Sequence, residues 1–402
     1  MSTFMSSVRL RRLAMAGLMV TAAVTAAQAT AAHASIAKET STTGCGPTYS
    51  TRMTLGQSSW PGASVPWHSV GAGWVLGTVA PSETVNAAET MYLASPSGQR
   101  YKVGAVPSGT YLVDWSAATM NALFVDQPTN GTKATIYVVN LKTGNGNAFY
   151  VYSGDGYIGL SFTRPSGQGI LVQSTPSGSG YLPLQRYSLT GARQECYPNS
   201  FPGAGSGSEG FTESPAGPDV VLDTLNGLVV MSNGGAPISF LAPPNGFNSC
   251  TALNWWTSQS VVATCSSQSA TELWALPLSG AKPTRLSTKG QSSTFLGAWR
   301  LGGRTYAQEA ACGSSWLERL NTNGTGSMLT IPGAANAGNV EPLGTYASKL
   351  PLLVTGGCDG HTPFAKIDWY NPAANTVSTV LGGPAGGGFV ISALLYPQTP
   401  DY

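Results

Sequence analysis

Charge is scarce in this chain. Only 9% of its 402 residues are Asp, Glu, Lys or Arg, and histidine occurs three times. The 20 basic and 18 acidic residues nearly cancel, and three of the arginines stand in an N-terminal segment read below as removed, leaving 17 against 18. A surface so close to neutral carries no electrostatic footprint for a polyanion, which argues against nucleic acid and anionic lipid as main partners. Close cysteine pairs of the Cys-x-x-Cys kind are missing, so zinc is not expected. No Gly-x-Ser-x-Gly elbow, phosphate loop, dinucleotide fingerprint, calcium loop or sialidase-type Asp box occurs, and no cofactor is expected.

One long apolar run is present, at the start. Arg9, Arg11 and Arg12 precede an apolar stretch from Leu13 to Ala27, and Ala32-His33-Ala34 stands before Ser35. These are the three zones of a secretory signal, expected to be cleaved after residue 34. The run is too short to cross a hydrocarbon core of about 30 Å comfortably, so no membrane insertion is expected after cleavage. The mature protein is expected to be secreted and extracellular, with residues 35–65 as an N-terminal extension.

Glycine and proline are abundant, at 50 and 27 residues. They punctuate short runs rich in β-branched and aromatic residues, a loop-rich, strand-rich composition. The turns recur. Met91-Tyr92-Leu93 leads to Ser95-Pro96-Ser97-Gly98, and Ile136 to Val139 leads to Lys142-Thr143-Gly144. Equivalent hairpins turn at Gly191, Gly234, Gly280, Gly324 and Asn375, and the intervals along these anchors are 46, 47, 43, 46, 44 and 51 residues. About 45 residues is the length of a four-stranded propeller blade, with each anchor marking its outer hairpin. Inner hairpins fall between them, as in Gly159 to Phe162 turning at Arg164-Pro165-Ser166-Gly167 into Gly169 to Val172. After the seventh outer hairpin comes one more strand, Phe389 to Tyr396, placed beside Trp74 to Val79 as the missing inner strand of the first blade. The expected fold is therefore all-β, a single seven-bladed β-propeller over residues 66–397 closed by a C-terminal strand.

The strand-Ser-Pro-Ser-Gly run and Phe162-Thr163-Arg164-Pro165-Ser166-Gly167-Gln168-Gly169-Ile170-Leu171-Val172 resemble the TolB-like propeller repeats, whose inner hairpins turn at Ser-Pro-Asp-Gly. Arg164 to Gly167 and Ser214 to Gly217 come close to that turn, without its Asp. The family is six-bladed by habit, whereas seven units are counted here. The resemblance implies a periplasmic or secreted protein-interaction scaffold and names no catalytic residue.

Six cysteines in an exported chain imply disulfides. Cys250 and Cys265 flank one inner hairpin and are expected to face each other across it. Cys312 and Cys358 fall at equivalent ends of adjacent units, and Cys45 with Cys196 remains by elimination.

Candidate chemistry is thin. Polar residues on inner strands line a propeller's channel, which singles out Asp114, Glu213 and Arg300 as binding candidates. Asp114 and Glu213 fall in the second and fourth units, which are not neighbours, so a close carboxylate pair is not expected from the spacing. His68 in the first unit and Asp359 with His361 in the seventh would be neighbours in a closed ring, and they define an alternative lyase or hydrolase site. Ten tryptophans raise a carbohydrate-binding alternative, though packing between blades is their commoner use. The expectation is a monomeric binding or scaffolding module for an unidentified protein or cell-envelope component, with no assignable catalysis.

Overall fold

A computed structural model describes residues 64–82, 88–107, 109–126, 133–152, 158–174, 183–215, 217–288, 294–356, 364–383 and 388–396. The signal segment, most of the N-terminal extension, Cys45, Cys358, Asp359 and His361 lie outside them. Among the described residues the chain is almost wholly β, with one short 3-10 turn at Trp67–Ser69.

The strands follow one another as antiparallel meanders. Strands β1 (Val75–Ala80), β2 (Thr90–Ala94) and β3 (Arg100–Ala105) form the first, and β4 (Tyr111–Ser116), β5 (Asn121–Asp126), β6 (Lys133–Asn140) and β7 (Gly146–Tyr152) the second. Next come β8 (Ile158–Phe162), β9 (Gly169–Ser174), β10 (Gln185–Ser188) and β11 (Arg193–Cys196). The fourth meander holds β13 (Gly205–Glu213), β14 (Asp219–Thr224), β15 (Gly227–Ser232) and β16 (Pro237–Leu241), with the two-residue β12 (Ser200–Phe201) added beside β13. The fifth is β17 (Ser249–Thr257), β18 (Ser260–Ser266), β19 (Thr271–Pro277) and β20 (Thr284–Arg285).

The following two meanders share one sheet. They are β21 (Thr294–Leu301), β22 (Arg304–Ala311), β23 (Ser314–Leu320) and β24 (Gly326–Met328), then β25 (Ala337–Pro342), β26 (Leu350–Gly356), β27 (Phe364–Asn371) and β28 (Thr376–Gly382). A single parallel pairing, Ser315 with Asn339, joins β23 to β25. The last strand, β29 (Phe389–Leu395), returns to the start and pairs antiparallel with β1, Val75 opposite Leu395 and Gly77 opposite Ala393. Four strands per unit is the pattern of propeller blades.

The core lies between neighbouring meanders, which explains why the middle strands read as unbroken apolar runs. In β5, Ala122 and Phe124 pack with Leu76, Met91 and Trp115, whereas the alternate residues Leu123 and Val125 pack with Phe149, Phe162 and Ile170 on the other face. Period-2 alternation thus sends successive side chains into two different cores. The same holds onward, with Val220 and Leu222 meeting Leu171 and Tyr197, and Val221 meeting Trp255 and Val261. The last such cluster sets Ile367, Trp369 and Leu381 against Val75, Val79 and Val390. Fully burying a side chain of this size stabilises the fold by roughly 1.5–3 kcal/mol. Trp115, Trp369, Trp74 and Trp255 are all buried, the packing role expected for most tryptophans.

The turn anchors fall where the repeat puts them. Gly98, Gly144, Gly191, Gly280, Gly324 and Asn375 all adopt left-handed φ, and in the fourth meander Gly235 takes that role instead of the expected Gly234. At Gly191 the demand is double, since a Cβ there would stand 2.6 Å from Phe149 of the preceding meander. Cys250 and Cys265 are bonded directly across β17 and β18, as expected. Cys196 is disulfide-bonded as well, its expected partner Cys45 lying outside the described residues. The proposed Cys312–Cys358 bond is corrected: Cys312 is an exposed free thiol. It occupies the two-residue turn between β22 and β23 at φ 50°, followed by Gly313 at φ 81°.

Candidate functional site

The first strands of three successive meanders, β4, β8 and β13, bring charge together at or near their C-terminal ends. Register slips between Leu112 and Asp114 in β4, a bulge that re-aims the Asp114 side chain out of the sheet. Asp114 then reaches the next meander: Oδ2 accepts the Phe162 N–H at 2.7 Å, and Oδ1 accepts the Trp115 N–H at 2.7 Å. The Arg164 guanidinium, 6% exposed, donates through Nη2 to both oxygens at 2.6 and 2.8 Å. It also meets the Trp115 carbonyl at 3.3 Å and the Phe162 carbonyl at 3.4 Å.

The other side of the same turn is held by Glu213, at the end of β13. Its Oε1 accepts the Arg164 backbone N–H at 2.8 Å and its Oε2 accepts the Ser161 hydroxyl at 3.0 Å. Asn233 donates to the Arg164 carbonyl at 2.8 Å, while its own carbonyl accepts from Arg186 at 3.0 Å and the Tyr197 hydroxyl at 2.8 Å. The Ser161–Arg164 segment is therefore clamped between a carboxylate of the preceding meander and a carboxylate of the following one. Trp115 forms part of the wall and donates to the Leu394 carbonyl at 2.9 Å, with the Tyr396 ring 5.3 Å from its own.

The electrostatics follow from burial and sign. Burial alone would lower the Arg164 pKa, but the charges of Asp114 and Glu213 and the hydrogen bond to Asp114 outweigh it and hold the guanidinium above its ordinary value. Glu213 is pushed up to about 8, chiefly by desolvation, with the Arg164 charge opposing and the Asp114 charge adding to the rise. Taken as a whole the residue is intermediate in exposure, while its carboxyl is desolvated by the surrounding protein. Desolvation likewise raises the neighbouring Tyr197 hydroxyl.

Lateral links of this kind recur. Asp223 accepts the Ala252 N–H at 2.9 Å, and Asn254 accepts the Ala298 N–H at 3.0 Å while donating to its carbonyl at 2.7 Å. Gln308 donates to the Val340 carbonyl at 3.0 Å, and Ser392 of β29 to the Leu112 carbonyl at 3.1 Å. Each ties one meander to the next through an innermost strand. At Arg164 alone does the link described here carry three charges.

The expected site residues are thus sorted. Asp114 and Glu213, whose units are not neighbours in the repeat, meet opposite sides of Arg164, a turn residue of the intervening unit. Arg300 stands exposed near the end of β21, away from the cluster contacts. His68 is exposed in the Trp67–Ser69 turn, and its expected partners Asp359 and His361 lie outside the described residues.

No protein-family model and no curated protein matches the sequence. Solved structures do match. The β-propeller domain of the Trilobed protease from Pyrococcus furiosus aligns at 8% identity and TM-score 0.52, covering 79% of this chain and 95% of that one. A prolyl endopeptidase aligns at 14% identity and TM-score 0.52, over 83% of this chain and 49% of the other, so the chain spans about half of that enzyme. TolB from Acinetobacter baumannii also aligns, at 13% identity and TM-score 0.43, over 81% and 67%. The fold is that of a β-propeller. Its solved neighbours include a prolyl endopeptidase and an oligopeptidase B beside the protease propeller domain, which corrects the expectation of a binding or scaffolding module set apart from catalysis, and at 8–14% identity the likeness is one of fold.

Removing Asp114 leaves the Arg164 charge buried without its partner, which costs about 3–5 kcal/mol in comparable cases. The Asp114→Ala protein is expected to unfold at a clearly lower urea concentration, and an unchanged midpoint contradicts the buried pair. Glu213 predicts a pH slope. Its folded pKa lies above the ordinary carboxyl value of 4.5, so the folded state holds the extra proton between about 4.5 and 8, and stability falls as pH rises through that window. Glu213→Gln keeps both acceptor and shape without ionising, and is expected to flatten this slope and to gain on the wild type above pH 8 in thermal melts.

Proposed function

We propose that this chain is a peptide-handling propeller of a proteolytic system, engaging a polypeptide segment at the inner-strand turns around Arg164. The observation that carries this reading is the convergence of Asp114 in β4, Arg164 in the turn after β8 and Glu213 at the end of β13, from three consecutive meanders. A propeller's innermost strands face its axis, where ligands are held. The class of ligand is taken from the solved neighbours, among them a protease, a prolyl endopeptidase and an oligopeptidase. In this reading the propeller has seven blades, β29 completing the first, and the ring is closed by that pairing. The mature chain starts after Ala34 and works outside the cytoplasm as a monomer, in an oxidising compartment that suits the Cys250–Cys265 bond.

Two measurements test this. The mature protein, residues 35–402, is expected to retain members of a mixed decapeptide pool on ultrafiltration followed by mass spectrometry; a folded protein that retains none overturns the peptide reading. A chain ending at Gly383 lacks β29 and exposes the apolar edge of β1 together with Val79, Trp369 and Leu381. It is expected to melt at lower temperature and to bind a hydrophobic dye, the loss of several buried side chains costing several kcal/mol. Wild-type melting of the truncated chain contradicts closure.

A further inference from the structure

Counting charges around Arg164 leaves one over. Both oxygens of Asp114 accept from the guanidinium, so that pair is neutral, and Glu213 receives only the backbone N–H of Arg164 and the Ser161 hydroxyl. Ionised, the cluster of one cation and two carboxylates carries a net negative charge on a partly exposed residue. The groups acting on Glu213 are Arg164 and Asp114. Tyr197, from the segment after β11, also feels its charge, and Tyr396 after β29 feels that of Arg164. Arg186 stands in the same network, donating to the Asn233 carbonyl and acting on Tyr197, but the cation acting on Glu213 is Arg164, already matched by Asp114.

We propose that Glu213 is the seat of a primary ammonium group, supplied by a peptide's free amino terminus or by a lysine side chain. This rests on the peptide reading above and names the chemistry by which the peptide is recognised. The Glu213 carboxylate and the ammonium form a charge-assisted hydrogen bond, which is stronger in a desolvated setting than in water. Ser161 and the Arg164 N–H orient the carboxylate, and the Asp114–Arg164 pair keeps the guanidinium from competing for it. Near neutral pH the incoming ammonium displaces the proton that burial keeps on Glu213, so the proton leaves to solvent and the site exchanges one positive partner for another.

The experiment uses three lysine-controlled pentapeptide amides: one with a free amino terminus and no lysine, its N-acetyl twin, and the N-acetyl twin with one internal lysine. Calorimetry on the mature protein, in buffers of differing ionisation enthalpy, is expected to show binding of the first or third with nearly one proton released at pH 7, and at least tenfold weaker binding of the acetylated, lysine-free twin. An α-amino ligand, with a pKa of about 8, gives affinity that peaks near pH 8, whereas a lysine ligand, at about 10.4, holds its affinity well above that. Glu213→Gln, checked for native melting, is expected to lose at least tenfold in affinity and to release no proton. In Ser161→Ala the loss of a hydrogen bond to the charged carboxylate is expected to move the pH profile upward. Equal binding of all three peptides overturns the ammonium seat and leaves the peptide reading standing. Binding of n-propylammonium with proton release, but of no peptide, supports the seat and overturns the peptide reading. Unchanged affinity in Glu213→Gln overturns the proposal outright.

Discussion

Strands β4, β8, β17 and β21 each have a sheet partner on one edge alone, and the groups along the other edge must be satisfied by something else. Here the neighbouring meander supplies it. Asp114 takes the Phe162 N–H, Asp223 the Ala252 N–H, and Asn254 both polar groups of Ala298. The apolar cores between meanders fix how closely the sheets approach, but such packing tolerates sliding. A short polar bond to a named backbone atom does not, so these links set which residues of successive inner strands stand opposite one another. The positions of the site residues depend on that register.

The cluster at Arg164 is the most charged of these links, and its energetics differ from the rest. A neutral amide link such as that of Asn254 contributes on the order of 1 kcal/mol net. A buried ion pair gains little over an apolar replacement, because desolvation consumes most of the Coulombic attraction, while breaking it is expensive. Three ionisable groups are thus a poor device for stability alone where a neutral link serves elsewhere in the same fold. The raised pKa of Glu213 says the same thing: the folded chain holds this carboxyl in surroundings that disfavour its charge. A site that tolerates such a penalty gains reactivity toward a proton or a cation.

Much of the architecture was legible because it repeats. The outer hairpins and their left-handed turn residues follow from glycine spacing and strand composition, the Gly234-to-Gly235 shift being a one-residue slip within a two-glycine turn. The pairing of β29 with β1 was legible as a strand left over after the last unit. Cys250 and Cys265 were readable because one hairpin fixes both. Cys312 was not, since bonding between units depends on how the turn backbone aims its side chain, and spacing does not encode that. The site was half legible. Asp114 and Glu213 stood out as acids in inner strands, yet the bulge that turns Asp114 sideways leaves no mark in composition, and the fact that a residue of the intervening unit bridges its two neighbours is a property of three dimensions.

A signal for Arg164 was nonetheless present in the scarcity of charge. Asp114, Arg164 and Glu213 follow one another at intervals of 50 and 49 residues, close to the length of one unit. In a chain with so few ionisable residues, opposite charges within two residues of the ends of three consecutive first strands mark a lateral contact. The order of signs carries further meaning. An acid, a base and an acid in successive units cannot all be matched in pairs, so one carboxylate is left over whichever side the base turns to. Arg164 turns its guanidinium to Asp114, which the bulge in β4 brings within reach, and offers Glu213 only a backbone N–H. The surplus negative charge at Glu213 is therefore a consequence of the register that the lateral links impose.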